Sequence, residues 1–225
     1  MIYELVRGDA DIRQGDIFRS IPRVDISLAS LPVMEKDGEL NETSWQDFID
    51  EPEGDRALSV ILPVRPVDAI VITQDCDCAR GEYVSLCQIE RYVEVAGLSA
   101  SPPKDDEAWR RKIVKGMSEQ PRLFYLPIDP RMGIPERMAV DFRVVLPVRR
   151  TDLESLRRSR IGRLNSVAYE HFRESLAQFF RRYPVNVWYP LSVAEFGKYS
   201  ESIKPPEKKP SPYPWQVSRE GAEGV

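Results

Sequence analysis

The residues best able to do chemistry are consecutive: Thr73-Gln74-Asp75-Cys76-Asp77-Cys78, with Arg80 two positions on. They follow an apolar run, Val67 to Thr73, whose four adjacent hydrophobic side chains suit a strand buried on both faces. Rigid scaffolds commonly present polar groups at such strand ends. If the segment stays extended, Asp75 and Asp77 project to one side and Cys76 and Cys78 to the other. Three chemistries are then open. The cysteines can be small core hydrophobes and the acids turn formers. Cys76 and Cys78, with Cys87 and His171, can ligate a soft metal such as zinc, although one intervening residue is tighter than the usual spacing. Gln74, Asp75, Cys76, Asp77 and Arg80 can form a polar site that binds a ligand or partner, or performs catalysis.

No catalytic residue is identifiable. A cysteine nucleophile needs a base or a cation to depress its pKa, and the adjacent acids act in the opposite direction. The single histidine, His171, lies on a helical segment between Glu170 and Glu174. Walker-type, Rossmann and zinc-peptidase motifs are absent from the sequence. A second charged set is a candidate anion-binding surface: Arg157, Arg160 and Arg163, followed by Arg173, Arg181 and Arg182. Residues 149–182 carry nine arginines against four acids, whereas residues 1–56 carry fourteen acids against six bases. The favoured use of the arginines is therefore ion pairing with the acidic N-terminal third, with phosphate binding as the alternative.

The elements that must position these groups follow from periodicity. Gly15-Asp16 reads as a turn into a strand at Ile17–Ile21 that Pro22 closes, and Val24–Leu31 alternates as a second strand. Residues 32–56 form a polar insertion with a short amphipathic helix at Trp45, Phe48 and Ile49. Residues 57–64 suit an edge strand, and a hairpin spans the Cys-x-Cys segment, with strands at 83–89 and 92–95. A helix follows over 101–120, with Trp109, Ile113 and Met117 on one face. Strands are expected at 123–128 and 138–146, and Thr151-x-x-Glu154 is a capping box opening a short helix. A long helix over 166–182 carries the stripe Tyr169, Phe172, Leu176, Phe179 and Phe180. One α+β domain over 1–203 and a Pro-rich extended tail over 204–225, with Trp215 in it, complete the organisation.

Of 225 residues, 42% are hydrophobic and 30% charged, enough for a sizeable core under a charged surface. The net charge of −4 argues against coating nucleic acid through bulk positive charge. No window approaches the roughly 18 apolar residues of a membrane helix, and the first residues lack a signal-peptide pattern. Three cysteines, two of them one residue apart, suit a reducing compartment. A cytoplasmic protein with no membrane partner and no cofactor is expected, zinc being the alternative.

Gly15-Asp16-Ile17-Phe18, followed by Ala69-Ile70-Val71-Ile72-Thr73-Gln74-Asp75-Cys76-Asp77 and by Arg163-Leu164 ahead of an aromatic helix, resembles a group of uncharacterised bacterial proteins with a GDI…SQxCD-like pattern. The Gly-Asp-Ile entry also resembles MazF/PemK-like toxins, which cleave single-stranded RNA. That resemblance implies a small SH3-like or PemK-like β-barrel core carrying an inserted segment and C-terminal helices, with an association with toxin–antitoxin or defence systems and with RNA. The nuclease residues do not carry over; were the chain a nuclease, Arg19 or Arg23 and Thr73 would be its phosphate-handling and catalytic groups. The long gap between the two motifs and the acidic charge depart from the toxins. The expected function is a regulatory or binding protein with a ligand or partner site at Gln74–Asp77. An RNA endonuclease and a thiolate metal-binding protein are the alternatives.

Overall fold

The computed structural model describes residues 2–34, 38–50 and 58–181, all within a compact unit spanning Met1–Arg182. The expected tail and Trp215 lie outside the described residues. Nine strands are described: β1 (Tyr3–Glu4), β2 (Asp16–Val24), β3 (Leu31–Met34), β4 (Leu40–Thr43), β5 (Val64–Val71), β6 (Tyr83–Arg91), β7 (Leu123–Leu126), β8 (Met138–Arg149) and β9 (Arg160–Leu164). Six helices accompany them: α1 (Trp45–Asp50), α2 (Asp75–Arg80), α3 (Tyr92–Val95), α4 (Asp106–Glu119), α5 (Arg150–Ser155) and α6 (Ser166–Phe180). The fold is α+β.

Seven strands make one antiparallel sheet in the order β1-β9-β2-β5-β6-β8-β7, and β3 and β4 pair separately. The expected barrel is not closed. Its absence has a visible cause in the alternation of the central strands. Ile17, Ile70 and Cys87 enter one apolar cluster with Phe124, Phe142, Ala168 and Phe172. Their immediate neighbours Phe18, Ala69, Val71 and Leu86 enter another with Ile12, Cys78 and Leu153. Successive side chains point to opposite faces, so the sheet has a core on each side. α6 covers one face, and α2 with α5 covers the other. A sheet with a core on both faces has no need to curl around a single one. The strand expected at Val67–Thr73 is β5, which ends at Val71 and is buried on both faces over Ala69, Ile70 and Val71.

Several boundaries differ from the sequence expectations. β2 continues through Pro22 to Val24, because a bulge at Arg19–Ser20, with Ser20 in the left-handed region at φ 55°, resets the register. Pro22 and Pro66 stand opposite one another, pairing two positions that have no ladder donor. The strand expected at 24–31 is therefore loop beyond Val24, and residues 58–63 form only a bridge at Val60. Residues 92–95 are the helix α3, whose Tyr92 turns into a third cluster with Leu123 and Ala139, packed by Trp109 and Ile113 of α4. β8 runs past Leu146 through Pro147, in the half of the strand that β7 does not reach. α5 begins at Arg150, so Thr151 lies inside the helix and makes no capping box. β9 was not anticipated: its sequence, Arg-Ile-Gly-Arg-Leu, has no period of two to mark it.

α6 is capped by Asn165, whose side chain accepts from the Ala168 N–H at 2.9 Å. Its Phe172 is fully buried against Phe124 and Phe142, with ring centroids at 5.1 and 5.7 Å. Phe180, expected in the same stripe, is 65% exposed. Phe172→Ala is expected to cost about 3–5 kcal/mol. Urea denaturation measures it, and a loss below about 1 kcal/mol would show that α6 is not an anchor of that core.

Candidate functional site

The N-terminal end of β2 meets the C-terminal ends of β5 and β9, and there the chain gathers its polar groups. Asp16, the first residue of β2, is fully buried. Its carboxylate accepts from Arg160 Nη1 at 2.8 Å, from Arg163 Nε at 2.6 Å and Nη2 at 3.1 Å, and from the Arg13 N–H at 3.0 Å. The Arg160 side chain is only 1% exposed. It also donates to the carbonyls of Arg7, Ala10 and Asp11. Arg163 reaches the Asp11 carbonyl, and Arg157 the Asp9 carbonyl. Taking such charges out of water is tolerable only when their hydrogen-bonding capacity is nearly filled. Here the loop 7–14 fills it by wrapping the guanidiniums. The three arginines marked out for anions are thus spent on Asp16 and on this loop. For Arg160 and Arg163 that is the favoured ion pairing with the acidic N-terminal part, made through a single carboxylate, whereas Arg157 meets only the Asp9 backbone carbonyl.

Spacing explains how β9 does this. Asp16 lies opposite Arg163 and Phe18 opposite Arg160, with a register shift between Ile17 and Phe18. Gly162 sits at that shift with φ 156°. A Cβ there would collide with the Met132 side chain and come within 2.7 Å of the Glu4 carbonyl oxygen. Only glycine lets the strand bend so closely while both arginines converge on one acid.

The Thr73–Cys78 segment is next door. Gly15, left-handed at φ 87°, donates its N–H to Val71 O at 2.9 Å and so ties the turn to the end of β5. Gln14, only 5% exposed, donates its side-chain amide to Ile72 O at 2.6 Å and its backbone N–H to Asp75 Oδ1 at 2.9 Å. The other Asp75 oxygen accepts from the Tyr169 hydroxyl of α6 at 3.4 Å. Burial and then the Asp75 charge push the Tyr169 hydroxyl pKa up, so it stays a donor at neutral pH. The Gln14 side-chain oxygen is buried, and no donor among the described residues reaches it.

The segment does not stay extended. Gln74 caps α2, and Asp75 and Asp77 fall in its first turn, where acids favour the positive helix end. Gln74, Asp75, Cys76, Asp77 and Arg80 are exposed, whereas Cys78 turns inward and donates to Thr73 O at 3.3 Å. The strands flanking α2 pair as expected of a hairpin, Val71 opposite Leu86, with the helix as their connection. The thiols are dispersed. Cys78 belongs to one core and Cys87 to the other, so the sheet stands between them. Among the described residues no group of His, Cys, Asp and Glu side chains is placed to hold a metal ion. Burial pushes both thiols up to about 12, with Asp75 adding to the effect on Cys78 and Asp141 to that on Cys87.

Sequence reasoning missed Gln14 and Tyr169. Gln14 looked like a turn residue and Tyr169 like one more aromatic of the α6 stripe, and no local pattern separates them from those roles. Asp16 has a signal, the Gly-Asp-Ile entry, which reads as turn chemistry and as the motif of a resemblance but not as a buried charge. A separate cleft of about 390 Å³ lies where β6 runs into α3, lined by Arg91, Glu94, Trp109, Ile128, Glu136 and Arg137. The Arg137 guanidinium stacks over Trp109 at 4.8 Å, and Arg91 pairs with Glu94 and Glu136. No helix among the described residues is long and apolar enough to cross a membrane. No family model, curated protein or solved structure matches the chain.

Two outcomes check this geometry. Asp16→Ala takes the counter-charge from two largely buried guanidiniums and leaves them only the loop carbonyls, and a loss of about 3–5 kcal/mol in denaturant unfolding is expected. A loss below about 1 kcal/mol would mean that the cluster does not hold the loop 7–14. Thiol alkylation at pH 8 is expected to modify Cys76 alone in the folded protein. Raising a thiol pKa to about 12 suppresses the reactive thiolate of Cys78 and Cys87, and both are buried. Mass spectrometry reads it, all three thiols reacting once the chain is unfolded.

Proposed function

We propose that the protein is a regulatory or binding protein whose Gln74–Asp77 turn takes the cationic, donor-rich group of a ligand or partner, an ammonium or a guanidinium. One observation carries this reading. Asp75 is exposed, yet it is held in place from both sides by Gln14 and Tyr169, and the Gln14 side-chain oxygen is buried with no donor among the described residues. A buried acceptor left unpaired costs about 1–3 kcal/mol, and the Tyr169 bond at 3.4 Å is long. The turn is therefore preorganised and short of donors. Asp77 adds a second exposed carboxylate one turn-step away.

The engagement of the basic side chains supports binding over RNA cleavage. Arg19 donates to Gly133 O and Met132 O, Arg23 to Gln88 and Asp25, and the Thr73 hydroxyl accepts the Ser85 N–H at 2.7 Å. These are the groups a nuclease reading would assign to phosphate handling and catalysis, and each is engaged within the fold.

Methylguanidinium chloride is a suitable probe, followed by NMR. Saturable shifts are expected at the Gln14 amide and around Asp75 and Tyr169, with affinity reduced about tenfold or more in Asp75→Asn. Single-stranded RNA at low salt is expected to be neither bound nor cut. Absence of shifts at the turn, or RNA cleavage, would sink the proposal.

A further inference from the structure

Outside that site, exposed apolar side chains concentrate in one part of the chain. Ile26, Leu28, Leu40 and Ile49 are each more than half exposed, and Met34 and Trp45 nearly so. Hydrogen bonds show that their elements adjoin. Met34 pairs directly across from Leu40. The Trp45 N–H donates to Leu28 O at 2.8 Å, so α1 is tied to the loop that carries Leu28. On the other side of β3, Met34 N–H donates to Ser59 O and Ile61 N–H to Pro32 O, bringing Val60 and Ile61 alongside. The result is a small platform of two strands, a bridging segment and a helix.

α1 is the least self-sufficient part of it. It is six residues long and none of them is buried. So short a helix is marginal without packing. Ser44 caps it, its hydroxyl accepting the Asp47 N–H at 3.1 Å and donating to the Asp47 carboxylate at 2.8 Å. Trp45 and Ile49, one helical turn apart, share an exposed face. Exposed apolar side chains gathered on adjoining elements are a mark of an interaction surface.

Charge selects the occupant. Glu39, Glu42, Asp47 and Asp50 border the apolar residues, and the described residues 26–34, 38–50 and 58–64 contain no lysine or arginine. Among the described residues, the bases that flank these segments in sequence, Arg23 and Arg65, both engage Asp25. An anionic membrane surface would be repelled. We infer that this platform, formed by β3, β4 and α1, docks a cationic amphipathic helix of a partner protein. Its apolar stripe would cover Trp45, Ile49, Leu40 and Met34, and its basic flanks would meet the acids. The breadth of the platform suits the apolar stripe of a helix better than the alternate side chains of a single strand.

The test uses two labelled peptides of the same Leu/Lys composition, one patterned as an amphipathic helix and one scrambled, with fluorescence anisotropy of the full chain. The patterned peptide is expected to bind at least about tenfold more tightly than the scrambled one, and more weakly as salt is added. Leu40→Ser with Ile49→Ser is expected to weaken binding about tenfold or more. Glu42→Lys with Asp50→Lys, which leaves the apolar residues in place, is expected to weaken it and flatten the salt dependence. Circular dichroism confirms that each variant is folded. Equal binding of the two peptides, or folded variants that bind like the parent, would overturn the inference. So would self-association of the chain that Leu40→Ser with Ile49→Ser abolishes, because the surface would then belong to a second copy. Because none of these residues lies in the Gln74–Asp77 turn, failure here leaves the guanidinium result standing, and the converse also holds.

Discussion

The Asp16 carboxylate is out of reach of water, and the structure around it is arranged so that it never lacks a donor. Arg160 and Arg163 come from β9, Arg13 N–H from the loop just before, and the loop 7–14 is pulled over the arginines to occupy the donors that Asp16 leaves free. This exchange joins the two ends of the described chain. It holds β9 beside β2 at the sheet end opposite Val24, and it places Gln14 where its backbone and side chain reach Asp75 and Ile72. The order of the turn at Gln74–Asp77 therefore depends on a buried charge cluster that lies outside the turn itself.

A similar device recurs elsewhere at lower cost. Asp141, 2% exposed in its side chain, accepts from Arg122 at 2.5 Å and from Arg143 at 2.7 Å. Burial works to raise its pKa, but the hydrogen bonds and charges of the two arginines prevail and hold it below the usual carboxylate range. Arg122 also donates to Val95 O, tying α3 to β8. Such pairs are better understood as register devices than as sources of net stability, since desolvation offsets much of the attraction. They locate loops that the two apolar cores do not reach.

The two-sided sheet accounts for the separation of roles. Its faces are sealed by α6 on one side and by α2 with α5 on the other, so the three thiols cannot meet. The exposed polar and apolar features lie at the perimeter: the turn leading into α2, the cleft beside Trp109, and the acidic platform around α1. Of these, the turn is held from several elements at once, whereas the platform is held mainly by its own hydrogen bonds.

Much of this was written locally. The four apolar residues in a row within Val67–Thr73 determined a strand with both faces buried, which ends at Val71, the Trp109–Ile113 spacing determined a helix, and the Phe172 stripe determined which side of α6 faces inward. Those signals are local because burial repeats with the period of the element that carries it. The barrel, by contrast, was a wrong extension of a short motif, since whether a sheet closes depends on how many faces must be covered and by what. The joining of Asp16 to Arg160 and Arg163, the hold of Gln14 and Tyr169 on Asp75, and the parting of Cys78 from Cys87 were decided by tertiary structure alone. They link residues up to 147 positions apart. Nothing in the neighbourhood of a residue in the chain specifies which distant partner will satisfy its charge.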